Sequence, residues 1–209
     1  MKCLDLCSGL GGFSQAFVDA AGWEVMRIEN NPLLADVPHT EIMCVKEFRD
    51  NLQEMVNRGY KPDFVDLIVA SPPCTEFSLG FHSPRSLASR EGRLEDYKPD
   101  MSILEAVIDI VKILKPTYFI IENVRGAVRY FADYLGRHKQ QITCYYFWGR
   151  FPAFTVDNPD ELPTKAELDK GYHHPLRANY RGLIPIQISR ALLKEISNQA
   201  TLAEYGIFV

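Results

Sequence analysis

The sequence predicts an α/β protein centred on a doubly wound, mostly parallel sheet with an antiparallel edge. Three observations predict it. Over the first two-thirds of the chain, apolar runs of strand length alternate with segments of helical periodicity, the pattern of strands joined by crossover helices. Two of the runs, Phe64 to Ala70 and Tyr118 to Ile121, are almost unbroken apolar sequence, as strands covered on both faces must be. The aromatic stretch from Gln140 to Phe154 reads as β, an antiparallel pair for the sheet edge.

Each element follows from local pattern. Lys2 to Cys7 is a short apolar run closed by a glycine-rich turn, and Phe13, Ala16, Phe17 and Ala20 then recur at helical spacing. Gly22 stands where that helix would stop. Trp23 to Ile28 predicts the second strand, ending at Glu29. Phe48, Leu52, Met55 and Val56 mark a second helix that stops near Gly59. After the strand over Phe64–Ala70 comes a long polar connection, Ser71 to Pro99, without sustained periodicity. Loops of that length in compact domains are usually functional lids or disordered. Met101, Leu104, Ile108, Val111 and Leu114 predict a third helix, ended by Pro116, and the strand Tyr118–Ile121 leads to Glu122. Val156 to Lys170 reads as an acidic, proline-containing surface loop.

The totals narrow the function classes. With 209 residues, 46% hydrophobic and 24% charged, the chain can bury one good core. A single unit over 1–209 is expected, with a closing helix at about 183–197 packing back on it. A net charge of −4 excludes a chain that binds polyanions by bulk charge, so any such contact needs a local basic patch. The five cysteines, Cys3, Cys7, Cys44, Cys74 and Cys144, are odd in number and form no CxxC pair, which predicts reduced thiols. His173-His174 lacks a third ligand at metal spacing, so no metal is expected. The first residues run straight into a strand, and no apolar run approaches the roughly 20 residues of a membrane span. A cytoplasmic protein without a membrane partner is the expectation.

Ligands of an open parallel sheet bind beyond the carboxyl ends of its strands, and four features fall there. Ser8-Gly9-Leu10-Gly11-Gly12 follows the first strand and opens a helix. Its glycines permit close backbone approach and offer N–H groups at a helix start, although a tight connection alone would look the same. The turn lacks the GxGxxG spacing of a dinucleotide fingerprint, which favours another adenosine cofactor over NAD. Glu29 is placed to accept from ribose hydroxyls, or else is a solvated loop carboxylate. Pro72-Pro73 stiffens the chain before Cys74, a thiol placed either for nucleophilic work or for simple burial. Glu122-Asn123 ends the fourth predicted strand.

In this order the four features resemble the cytosine-5 DNA methyltransferases. Asp5-Leu6-Cys7-Ser8-Gly9-Leu10-Gly11-Gly12-Phe13 is similar to the first family motif, DLFxGxGGF, and Pro73-Cys74-Thr75-Glu76-Phe77-Ser78 to the fourth, PCQxFS. Glu122-Asn123-Val124 matches the sixth, ENV, and Ile184-Pro185 with Ser189-Arg190-Ala191-Leu192 resembles the closing helix of the last. The resemblance implies a Rossmann-like, S-adenosylmethionine-dependent methyltransferase fold. It implies cofactor contacts from Cys7, Ser8, Gly9, Gly11, Gly12 and Phe13, from Glu29 and Asn30, and from Pro72. Cys74 would add to carbon 6 of cytosine, Glu122 would act on ring nitrogen 3, and Asn123 would position the loop carrying Cys74. DNA, duplex or single-stranded, would be the substrate, its base flipped out beneath the long connection.

Several positions depart from the family pattern. Cys7 replaces an aromatic residue that contacts adenine, and Glu41 is the nearest counterpart of the third motif's aspartate. The eighth motif, QxRxR, is absent, and Arg150 in Trp148-Gly149-Arg150-Phe151-Pro152 is the candidate substitute. Only about thirty residues separate Phe154 from Leu183, too few for a separate target-recognition domain. Recognition is therefore expected to be short or relaxed, with a partner chain as the source of added specificity. Arg85, Arg90, Arg93, Arg125, Arg129, Arg137, Lys139, Arg177 and Arg181 are candidate phosphate contacts. Ser71-Pro72-Pro73 also fits the amino methyltransferases, but Cys74 follows where a stacking aromatic is needed. A silent cofactor-binding module is the non-enzymatic alternative, and RNA or a free nucleotide the alternative substrate.

Overall fold

The computed structural model describes residues 1–78, 80 and 83–204, with side chains described through residue 199. Its centre is a seven-stranded sheet of order β3-β2-β1-β4-β5-β7-β6, formed by β1 (Lys2–Leu6), β2 (Glu24–Glu29), β3 (Thr40–Ile42), β4 (Leu67–Ala70), β5 (Tyr118–Asn123), β6 (Gln140–Ile142) and β7 (Tyr145–Arg150). β1 to β5 are parallel, and β7 runs antiparallel between β5 and β6. The expected sheet and its antiparallel edge are both present. Leu6 lies level with Ile28 and Ala70, and Ala70 level with Ile121. The glycine turn, Glu29, the Cys74 turn and Glu122 therefore emerge along one edge, around the switch in strand order between β1 and β4.

Helices cover both faces. On one lie α1 (Gln15–Asp19) and α7 (Ile186–Glu204). Ile188, Leu192 and Ile196, one turn apart and fully buried, pack with Phe13, Phe17, Val69 and Ile120. Ser189 at the start of α7 donates to the Phe13 carbonyl (2.7 Å) and accepts from Ala16 N (3.1 Å), which ties the closing helix to the end of the glycine turn. On the other face, α2 (Val45–Asn57), α4 (Ser102–Leu114) and α5 (Val128–Leu135) cover Leu4, Ile68 and Ile121 with Leu52, Val107, Ile110 and Phe131.

Three differences from the sequence reading have physical causes. The strand expected from Phe64 begins only at Leu67: Asp66 turns its carboxylate to Lys2 N (2.7 Å), and Phe64 is solvent-exposed. The long connection contains α3 (Pro84–Arg90), started by Ser83, whose hydroxyl accepts from Ser86 N (3.2 Å), and by Pro84 in the first turn; its residues Leu79, Phe81 and His82 lie outside the described residues. The segment after β7 is no mere surface loop, because Leu162 enters the core and α6 (Arg177–Arg181) lies against the strand ends. No described helix is long and apolar enough to cross a membrane.

Candidate active site

The first wall of the site is the turn after β1. Cys7 turns the chain in a left-handed conformation (φ +56°), and Gly11 N closes the turn on Ser8 O at 2.8 Å. Beneath it, Ser14 donates to the buried Asp5 carboxylate (2.6 Å), and the fully buried Arg27 reaches across from β2. Arg27 donates to Ser14 Oγ (2.9 Å) and to the carbonyls of Gly11 and Pro38 (both 2.9 Å). The turn thus rests on a buried polar frame rather than on apolar packing. Gly12 has no room for a side chain, since a Cβ would meet the Ile184 carbonyl at 2.2 Å. Glu29 accepts from Gly9 N (2.8 Å) with one oxygen and from Asn31 N (2.9 Å) with the other. Its carboxylate is fixed at the mouth of the turn and keeps lone pairs for a further donor.

The second wall follows β4. Cys74 O accepts from the N–H groups of Phe77 (3.0 Å) and Ser78 (2.9 Å), so the cysteine opens a tight turn stiffened from the other side by Pro72-Pro73. Two contacts from the β5 side hold that turn. Asn123 is 1% exposed and donates to Pro72 O at 2.9 Å while accepting from Val124 N. Phe77 packs edge-on against Phe131 (5.2 Å between ring centres), and a Cβ on Gly126 would lie 1.9 Å from the Phe77 carbonyl. Only glycine permits that approach.

Between the walls is a cleft of about 260 Å³. Ser8, Gly9, Gly12 and Phe13 line it from the turn, as do Glu29 and Asn30 from β2 and Pro72, Cys74 and Glu122 from β4 and β5; Cys7 borders it as well. Ser8 Oγ is buried with no hydrogen-bond partner among the described residues. Glu122 is 6% exposed, and burial pushes its carboxyl up to about 7, against the pull of the Lys165 ammonium. Burial likewise pushes the Cys74 thiol up; Lys165 is the largest opposing influence, Glu122 adds to the rise, and Arg181 weakly opposes it. Cys7 is pushed far up by burial and by Glu29, which marks it as an inert thiol beside the reactive candidate.

The remaining predicted residues lie elsewhere. Gly11 faces Arg27 beneath the cleft, and Asn123 stands behind the Cys74 turn. Arg150 is not brought to the site. β7 is antiparallel, so its second and third residues, Tyr146 and Phe147, sit beside Asn123 and Glu122, whereas Arg150 pairs with Phe119 at the opposite edge and donates to the carbonyls of Thr117 and Pro116. Glu41 is exposed on β3, and Met43 and Cys44 line the cleft at that corner. Sequence reasoning missed Lys165, Asn179, Leu183 and Ile184 in the cleft wall. It also offered Arg177 and Arg181 as phosphate contacts, but both are engaged by Asp169 at 2.7 Å, Arg177 through two bonds.

This sheet order, with a glycine turn and an acidic residue at the ends of β1 and β2, is the Rossmann-like fold of S-adenosylmethionine-dependent methyltransferases. The chain belongs to the C-5 cytosine-specific DNA methylase family, whose model matches residues 1–138. It is 28% identical over 148 residues to the type II methyltransferase M1.HphI of Haemophilus parahaemolyticus, covering 67% of this chain and 36% of that protein. It is 33% identical over 96 residues to the type II methyltransferase M.SacI of Streptomyces achromogenes, covering 45% and 23%. A probable DNA (cytosine-5)-methyltransferase of Frog virus 3 is 28% identical over 160 residues, covering 75% of this chain and 62% of the viral one. The alignments thus span between about a quarter and three-fifths of these relatives' own lengths.

Proposed function

We propose that the protein transfers a methyl group from S-adenosylmethionine to carbon 5 of cytosine in DNA, through a transient bond from Cys74 Sγ to carbon 6. The observation that carries this reading is the meeting of Cys74 and Glu122, from the ends of adjacent strands, in the cleft that the glycine turn also lines. The cleft suits the cofactor. The fixed Glu29 carboxylate can accept from ribose hydroxyls, and the unpartnered Ser8 hydroxyl is free to meet a polar group. Bound there, S-adenosylmethionine supplies an electrophilic methyl group.

Carbon 5 of cytosine is a poor nucleophile until the ring is activated. Cys74 as thiolate adds to carbon 6, and the electrons of the 5,6 double bond shift toward carbon 5 and the ring. Glu122 gives a proton to nitrogen 3, which neutralises the charge that the addition drives there. A carboxyl with its pKa held near 7 is suited to donate that proton and recover it. Asn123 keeps Cys74 in register through the Pro72 carbonyl. Once carbon 5 has taken the methyl group, leaving S-adenosylhomocysteine as co-product, a solvent base takes the carbon 5 proton. The 5,6 double bond re-forms with expulsion of the Cys74 thiolate, and nitrogen 3 returns its proton to Glu122. A base inside a duplex must be flipped out to reach Cys74.

The test is methyl transfer from labelled S-adenosylmethionine to duplex DNA, single-stranded DNA, RNA and dCMP in parallel, with Cys74→Ala as control. DNA is expected to be the methyl acceptor, and Cys74→Ala is expected to lose transfer while calorimetry shows cofactor binding nearly unchanged. Substantial activity in the variant would overturn the covalent route, and methylation of RNA or dCMP alone would overturn the substrate.

A further inference from the structure

Lys165 is the only lysine or arginine lining the cleft among the described residues, and it enters from the segment between β7 and α6. Its placement is built. Leu162, three residues earlier, is anchored in the core. Thr164 and Glu167 bracket Lys165 reciprocally: Thr164 N and Oγ1 donate to the Glu167 carboxylate (2.7 and 2.8 Å), and Glu167 N donates to Thr164 Oγ1 (3.3 Å). The Lys165 ammonium lies over the ring of Tyr145, 5.9 Å from its centre, and Tyr145 is itself 1% exposed. Among the described residues no carboxylate pairs with Lys165, whereas the neighbouring Arg177 and Arg181 are taken up by Asp169.

We propose that Lys165 is a positioning residue that acts through Cys74: its ammonium is the counter-charge against which the cysteine thiolate forms. The proposal rests on Cys74 being the nucleophile. Glu122 from β5 and Lys165 from the segment after β7 share the cleft with the thiol, and Arg181 from α6 acts on it from outside the cleft wall. Burial and Glu122 both oppose ionisation of Cys74, and Arg181 is already engaged by Asp169. A backbone hydrogen bond at Cys74 also favours the thiolate, but less than Lys165 does, so the unpaired cation in the cleft is the main group that favours it. When Glu122 is protonated, Lys165 and the thiolate form a neutral site. When Glu122 is ionised, Lys165 balances it instead. One fixed positive charge thus serves a single negative charge that either residue can carry, a role that suits a proton-donating carboxyl beside a nucleophile.

The test is the pH dependence of Cys74 alkylation by iodoacetamide in the full chain without DNA, read on the Cys74 peptide by mass spectrometry. Wild type, Lys165→Met and Lys165→Arg are compared. Methionine keeps an apolar stem against Tyr145 but removes the charge. In Lys165→Met the profile is expected to move to higher pH, slowing alkylation at about pH 8 by roughly three- to tenfold, and Lys165→Arg is expected to restore it. Coincident profiles for wild type and Lys165→Met would overturn the proposal. So would an equal shift in Lys165→Arg, because the effect would then be packing and not charge. A shifted profile in a chain that methylates no nucleic acid would leave the charge relation standing and refute the methyltransferase reading instead.

Discussion

Glu122 ends the apolar run of β5, and the same burial that makes the strand keeps the carboxyl protonated up to about pH 7. Glu122→Gln preserves shape and removes the transferable proton. The single-turnover rate of methyl transfer is expected to fall by about 10²–10⁴, the usual worth of a positioned acid. An unchanged rate would assign Glu122 to structure alone. At this scale the sequence was informative where a residue's place on its strand decides its role. That Cys74 and Glu122 meet in one cleft was legible because each stands at the carboxyl end of a buried parallel strand, and such ends converge. Arg150 was misplaced because nearness to a motif along the chain says nothing about which end of an antiparallel strand faces the site. Lys165 was illegible because a cation in an acidic, proline-containing segment looks like a solvated one; the anchoring by Leu162 and Tyr145 exists only after folding.

Two glycines separate the halves of the site at the level of elements. Gly126, after β5, lets the Phe77 carbonyl approach, and Gly12 lets Ile184 approach the turn after β1. Gly126→Ala must push back the turn that carries Cys74 and should lower the methyl transfer rate with cofactor affinity intact. Gly12→Ala must displace the Leu183–Ile184 wall and should weaken cofactor binding first. Calorimetry with the cofactor and single-turnover kinetics on both variants decide this, and a cofactor defect of equal size in Gly126→Ala would contradict it. The main strands and helices were legible because their apolar periodicity is strong. β3 and α6 bury none of their residues and α5 only Phe131, so none of them carries the repeat of buried apolar residues that declares an element. α3 carried a usable signal in Ser83-Pro84, a cap followed by a proline, within a stretch otherwise lacking pattern.

For the whole molecule, the site has a cost in stability. Burial holds both Asp5 and Glu122 at about 7, above their ordinary values. The native chain therefore binds protons there that the unfolded chain releases between about pH 4 and 7. The stability each contributes is complete at low pH and lost as pH rises through about 7. Relative to wild type, Glu122→Gln should gain about 2–3 kcal/mol between about pH 4.5 and pH 8, read from denaturant unfolding at the two pH values; no difference would place Glu122 in a wetter site. The same buried acid, sharing its cleft with the Cys74 thiol, is what the proposed covalent mechanism requires. Its most direct test is incubation with S-adenosylmethionine and duplex DNA carrying 5-fluorocytosine, followed by digestion and mass spectrometry. Fluorine cannot leave carbon 5 as a proton does, so the account predicts a stable, cofactor-dependent DNA adduct on the Cys74 peptide, absent from Cys74→Ala. Methylation of the unmodified duplex without any Cys74-linked species on the fluorinated one would contradict it.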